Sequence, residues 1–81
     1  MTDTATTITR VVDARGSFCP GPLMELIRAI RESAVGDVIS VYSTDRGSRV
    51  DIPNWVEKAG HRLVDLTTHD GLDEIVVQKQ R

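Results

Sequence analysis

The chain has 81 residues, 40% of them hydrophobic, one each of Trp, Tyr and Phe, and a formal net charge of −2. That length allows a single domain with a modest core resting on Ile, Val and Leu. The mildly acidic balance argues against a protein that binds nucleic acid by neutralising phosphates, and no apolar run is long enough for a membrane span.

Residues 1–7, Met-Thr-Asp-Thr-Ala-Thr-Thr, read as a frayed polar tail without the apolar stretch of a signal peptide. Residues 8–81 read as the one domain. With no targeting segment and a lone cysteine, the expected compartment is a reducing cytoplasm, away from membranes. Ile8 to Asp13 is a β-branched run and a first strand. Arg15-Gly16-Ser17 is a turn. Pro is favoured at a first helical position, so Pro20 is expected to open a helix and Cys19 to cap it. The apolar residues Leu23, Leu26, Ile27, Ile30 and Ala34 then recur at helical spacing, with Glu25, Arg28 and Glu32 on the opposite face. Gly36 suits a left-handed cap closing that helix.

Val38 to Ser43 is a second strand and Thr44-Asp45-Arg46-Gly47 a loop. Ser48-x-x-Asp51 has the form of a capping box, with Asp in place of the usual Glu or Gln. Ile52, Trp55, Val56 and Ala59 mark a second amphipathic helix. Pro53 suggests a start later than Ser48, and Gly60 ends it. Trp55 reads as a core anchor. Arg62 to Thr68 and Leu72 to Lys79 are strands, joined at His69-Asp70-Gly71 by a hairpin turn. The order β-α-β-α-β-β has too few helices to cover both faces of a four-stranded sheet. The expected fold is α+β: a two-layer α/β sandwich with both helices on one face.

Cys19 is the residue around which chemistry can be built. A cysteine at a helix start lies near unpaired N–H groups and the positive end of the macrodipole, which favour the thiolate. Arg15 is placed to add to that field, or is a plain loop residue. The plainer reading of Cys19 itself is a small buried hydrophobe. Other chemistries lack parts. A zinc site would have to use Cys19, His61 and His69, whose spacing does not assemble them, and the histidines read as surface residues. A cysteine hydrolase needs a base beside its nucleophile, and a thioredoxin-type enzyme needs a second cysteine. No glycine-rich phosphate loop is present. A thiolate that takes up one sulfur atom becomes a persulfide, which no second thiol in this chain can expel as a disulfide.

Asp13-Ala-Arg-Gly followed by Cys19-Pro-Gly-Pro-Leu resembles the C-P-x-P signature of the TusA family of sulfur carrier proteins, also called SirA-like. Asp37-Val-Ile-Ser-Val-Tyr-Ser-Thr-Asp45 and Ser48-Arg-Val-Asp-Ile-Pro-Asn-Trp55 are similar to that family's second strand and second helix, and the similarity runs from about Val12 to Lys79. The resemblance implies a mixed sheet and a sulfurtransferase of the carrier kind. Cys19 would hold the sulfur as a transient persulfide, with no other cofactor and no metal. Pro20 and Pro22 would fix its geometry, Arg15 and Gly16 would shape the turn, and Met24, Arg28, Arg46 and Arg49 would line a partner surface. The donor would be a cysteine desulfurase, a rhodanese-like protein or a reactive sulfur species. The acceptor would be a DsrE-like relay protein, the pathway tRNA thiolation or dissimilatory sulfur oxidation, and the working form a monomer. The Cys-Pro-Gly-Pro-Leu wording leans towards sulfur oxidation. At Arg46 the chain departs from the family's frequent Asp-Pro-Gly, which leaves the role of that loop open.

Two other readings stand beside the carrier. One is a regulatory or interaction module that uses Cys19 for docking or for sensing oxidants. The other is a nucleic-acid-binding domain, which rests on fold analogy alone and runs against the acidic balance.

Overall fold

The computed structural model describes residues 7–81, so the tail expected at 1–7 lies, apart from Thr7, outside the described residues. The elements are β1 (Arg10–Asp13), α1 (Gly21–Arg31), β2 (Val38–Ser43), α2 (Ser48–Ala59), β3 (Arg62–His69) and β4 (Leu72–Gln78). This is the expected order. The strands form one mixed sheet in the order β1-β2-β4-β3. β1 runs parallel to β2, and β4 lies antiparallel to both β2 and β3. A parallel pair needs a crossover, and α1 supplies it. The link through α2 steps over one position, and the β3–β4 hairpin returns to fill the gap.

Period-two alternation sends one set of strand residues to the helices. Val12, Ala14, Ile39, Val41, Ile75 and Val77 meet Leu26, Ala29 and Ile30 of α1 and Ile52 and Val56 of α2, all buried. Leu23, Trp55 and Leu66 close the edges of this core. Fully burying each large aliphatic side chain stabilises the fold by about 1.5–3 kcal/mol. α1 packs on β1 and β2, and α2 on β3 and β4.

Several boundaries differ from those expected. β1 begins at Arg10, and just ahead of it Thr9 still donates its N–H to Val38 O at 2.8 Å while its hydroxyl, in place of a main-chain carbonyl, accepts the Val38 N–H at 3.2 Å. Pro20 is the N-cap of α1 and Gly21 its first residue, one position later than expected, and Cys19 lies just outside the helix. Gly36 does adopt a left-handed φ of +95°, but α1 has already ended at Arg31. The Lys79 ammonium closes that end, donating to Ile30 O in the last turn of α1 and to Ser33 O just beyond it, at 2.7 Å each. α2 starts at Ser48 despite Pro53, which sits inside it. Gly60 caps α2 with φ +81°, and Asp70 and Gly71, at φ +51° and +80°, make the two-residue turn of the hairpin.

Candidate functional site

β1 and β2 are parallel neighbours, so the loops after them leave the same end of the sheet, and both lead into helix starts. Ala14–Pro20 feeds α1 and Thr44–Gly47 feeds α2. Gly16 bridges the two loops. It turns at φ +84° and donates its N–H to Thr44 Oγ1 at 3.1 Å. A side chain is disfavoured at that left-handed φ, which explains the glycine.

Cys19 sits between the two helix N-termini, half-buried, and the Cys19–Pro20 peptide is cis. Two aspartates of the second loop and helix hold it. Asp45 Oδ2 accepts the Cys19 backbone N–H at 3.0 Å, and also the Ser48 N–H at 3.0 Å and the Ser48 hydroxyl at 2.9 Å. The capping box expected between Ser48 and Asp51 is therefore not what starts α2. Asp45 caps the first turn from three residues ahead of Ser48, and this fixes the helix start. Asp51 is left free for another partner, and the Cys19 thiol donates to its Oδ2 at 2.6 Å. Gly47 lets the loop close on the cysteine, since a Cβ there would lie 3.5 Å from Cys19 Cβ and 3.3 Å from Asp45 Oδ2.

The charge on this thiol is opposite to expectation. A dipole-stabilised thiolate would titrate below the ordinary range. Instead the hydrogen bond to Asp51, partial desolvation, and the negative fields of Asp51 and Asp45 push Cys19 up to about 11. Arg15 does not offset them. Its guanidinium is bonded to Asp13 through Nε and Nη2, both at 2.8 Å, and that pairing lowers the Asp13 carboxyl to about 2. In the free protein at neutral pH, Cys19 is a thiol.

The residues expected around the sulfur separate into groups. Pro22 is buried in the first turn of α1, and Pro20, the N-cap, is exposed. Met24 is 58% exposed and lines a shallow groove along α1 with Ile27, the cationic Arg28 and Arg31 and the acidic Glu25 and Glu32. Arg28 pairs loosely with Glu32 at 3.5 Å. Arg46 is exposed in the loop before α2. Arg49 reaches across to the sheet and bonds Asp73 of β4 at 3.1 and 3.3 Å. Asp73 is buried and also accepts the Thr68 hydroxyl, so Arg49 ties the start of α2 to the strands. His61 stacks beside Trp55, with ring centroids 5.6 Å apart, and His69 lies exposed at the hairpin.

Sequence reasoning passed over Asp45 and Asp51 as parts of the site, along with two exposed apolar side chains. Phe18, next to Cys19, is 79% exposed, and Val50, next to Asp51, is 61% exposed. Exposed apolar side chains next in sequence to Cys19 and to its partner Asp51 are of the kind that contact surfaces use.

An α+β sandwich that presents one cysteine between two helix starts defines a class, and three comparisons place the chain within it. Its residues 10–79 match the profile of the family described as sulfurtransferase TusA. A candidate sulfur carrier protein of Archaeoglobus fulgidus is 54% identical over 85% of this chain and 94% of its own length. The sulfur carrier protein TusA of Pseudomonas savastanoi pv. phaseolicola is 37% identical over 80% of this chain and 77% of its own. The crystal structure of a SirA-like protein from Desulfitobacterium hafniense superposes with a TM-score of 0.79 at 23% identity, covering 90% of this chain and all of that one, and so shares the fold. The chain belongs to the TusA family.

Proposed function

We propose that the protein carries sulfur as a persulfide on Cys19, taking it from one protein and giving it to another. The observation that carries this reading is the seating of the only cysteine, Cys19, outside the core and between two helix N-termini, where its thiol meets Asp51 of α2. A structural thiol would sit inside, whereas this one is presented for contact.

The transfer balances without an outside oxidant. Cys19 loses its thiol proton, and Sγ attacks the outer sulfur of a donor persulfide. The donor's S–S bond breaks, and the donor leaves as a thiolate that takes up a proton. Delivery runs the same steps with an acceptor thiolate attacking the outer sulfur of the Cys19 persulfide. The chain has no second cysteine to intercept the sulfur. Pro20 and Pro22 hold the exit angle, and Gly16 keeps the Ala14–Pro20 loop against Thr44. Met24, Arg28 and Arg46 offer an apolar and cationic approach for the donor and acceptor. Arg49 contributes indirectly, by anchoring α2. A cysteine desulfurase or rhodanese-like donor and a DsrE-like acceptor fit this scheme, in a cytoplasmic relay serving sulfur oxidation or tRNA thiolation. No helix among the described residues is long and apolar enough to cross a membrane.

The test is intact mass spectrometry after incubation with polysulfide, or with a cysteine desulfurase and cysteine. Wild type is expected to gain one sulfur atom, reversibly with reductant, and Cys19→Ser to gain none. A folded wild type that gains nothing from either donor overturns the carrier reading and favours an interaction module.

A further inference from the structure

The two aspartates at Cys19 do different work. Asp45 commits Oδ2 to the main chain of Cys19 and to Ser48. It is a structural clasp. Asp51 lies in the first turn of α2, where the macrodipole favours a negative charge. Among the described side-chain hydrogen bonds, its carboxylate takes part in one, from the Cys19 thiol at 2.6 Å. A carboxylate accepts and does not donate, so this contact exists only while the sulfur keeps its proton. A thiolate in the same place would face the Asp51 and Asp45 charges with no hydrogen between them.

Resting on the carrier reading, we propose that Asp51 is the positioning residue that holds Cys19 as a slow-reacting thiol in the free protein, and that fast sulfur transfer requires a partner able to neutralise or displace its carboxylate. The chemistry of that partner follows. It brings a Lys or Arg side chain against Asp51 as it docks, satisfying the carboxylate and releasing the sulfur. Phe18 and Val50, exposed and next in sequence to Cys19 and Asp51, are the apolar side chains such a partner would cover. The upward displacement of the thiol from 9.0 to about 11 agrees with this geometry, with Asp51 its first cause. The locked thiol resists oxidants and small electrophiles met by chance, since the thiolate is the nucleophile. Among the described residues, the charged groups that act on the sulfur are Asp51 from α2 and Asp45 from the loop after β2, both acidic, so the cation that opens the lock comes from the partner.

The experiment compares wild type, Asp51→Asn and Asp51→Ala. The first reading is the pH dependence of iodoacetamide alkylation at Cys19. The lock predicts that both variants move the alkylation midpoint from about 11 towards the ordinary cysteine range. For every pH unit by which the midpoint falls, the thiolate fraction at neutral pH rises about tenfold, so alkylation there should be faster by about tenfold or more. The second reading is the rate of polysulfide loading by intact mass, expected to rise in parallel. Circular dichroism checks that each variant is folded, and Asn, being isosteric, is the variant expected to keep the fold unaltered. A midpoint unchanged in both folded variants overturns the lock. A lower midpoint with no sulfur gained by any form upholds the lock and overturns the carrier. Slower loading despite faster alkylation also overturns the lock, and assigns Asp51 to proton transfer instead.

Discussion

The two ends of the sandwich answer the helix dipoles with opposite charges. At one end the Lys79 ammonium closes the last turn of α1, and the neighbouring backbone is paired as well, with Gly36 N–H on Lys79 O and Lys79 N–H on Asp37 O. At the other, Asp45 and Asp51 sit at the start of α2, and each also holds Cys19. Both ends are electrostatically sensible. They differ in whether every partner is permanent. Lys79 bonds carbonyls that have no other state, whereas Asp51 bonds a proton that can leave. Complementary charge alone therefore does not mark a functional end. A complementary charge that holds a removable proton does.

The comparison breaks hardest at Cys19. Cys19→Ser should lose all sulfur loading in the mass assay while keeping its melting temperature, because a serine hydroxyl can donate to Asp51 in the thiol's place. A large structural effect is expected from Asp45→Ala. It strips acceptors from the buried Ser48 and from the Cys19 N–H, at a cost of about 3 kcal/mol by urea unfolding, and it should also blur the alkylation profile. Lys79→Met sharpens the contrast from the far end. Loss of its bonds to Ile30 O and Ser33 O should cost about 1–2 kcal/mol and leave the pH dependence of Cys19 alkylation where it was.

The smallest effect concerns His61, whose Nδ1 accepts the Gln80 N–H at 3.1 Å. Partial burial, with Lys79 and Arg81 nearby, lowers its pKa from 6.5. The folded state then binds a proton less readily than the unfolded one. Stability should be flat above about pH 6.5 and decline as pH falls through that value towards the lower folded one. His61→Asn, which keeps an acceptor, should flatten the decline in a series of thermal melts.

How much of this was readable in advance depends on chain distance. Element order, the Asp70-Gly71 turn, the Gly60 cap and a helix starting beside Cys19 all come from neighbours within a few residues, and the sequence displays them. Asp45 and Asp51 lie 26 and 32 residues beyond Cys19. Nothing in their local pattern distinguishes them from loop and capping residues. Read locally, the sulfur lies in a positive field. Folding brings two carboxylates to it and reverses the sign. Lys79 was hidden in the same way, as the polar end of a strand, 46 and 49 residues from the carbonyls it caps. Arg49 looked like a surface cation until Asp73, 24 residues on, came within reach.

The placement of β4 has a consequence for how the molecule is made. It is the last of the four strands to leave the ribosome, yet its place is inside the sheet, between β2 and β3. Until it arrives, β2 offers an open hydrogen-bonding edge and α1 has no ammonium at its end. The nascent chain can pair β1 with β2 around α1, but β3 has no strand beside it. Assembly of the Cys19 seat, which needs α2 tied down through Arg49 to Asp73 of β4, therefore waits for the final strand. A chain halted before Leu72 should hold its cysteine unshielded by Asp51, and its Cys19 should be alkylated faster than that of a chain that includes β4.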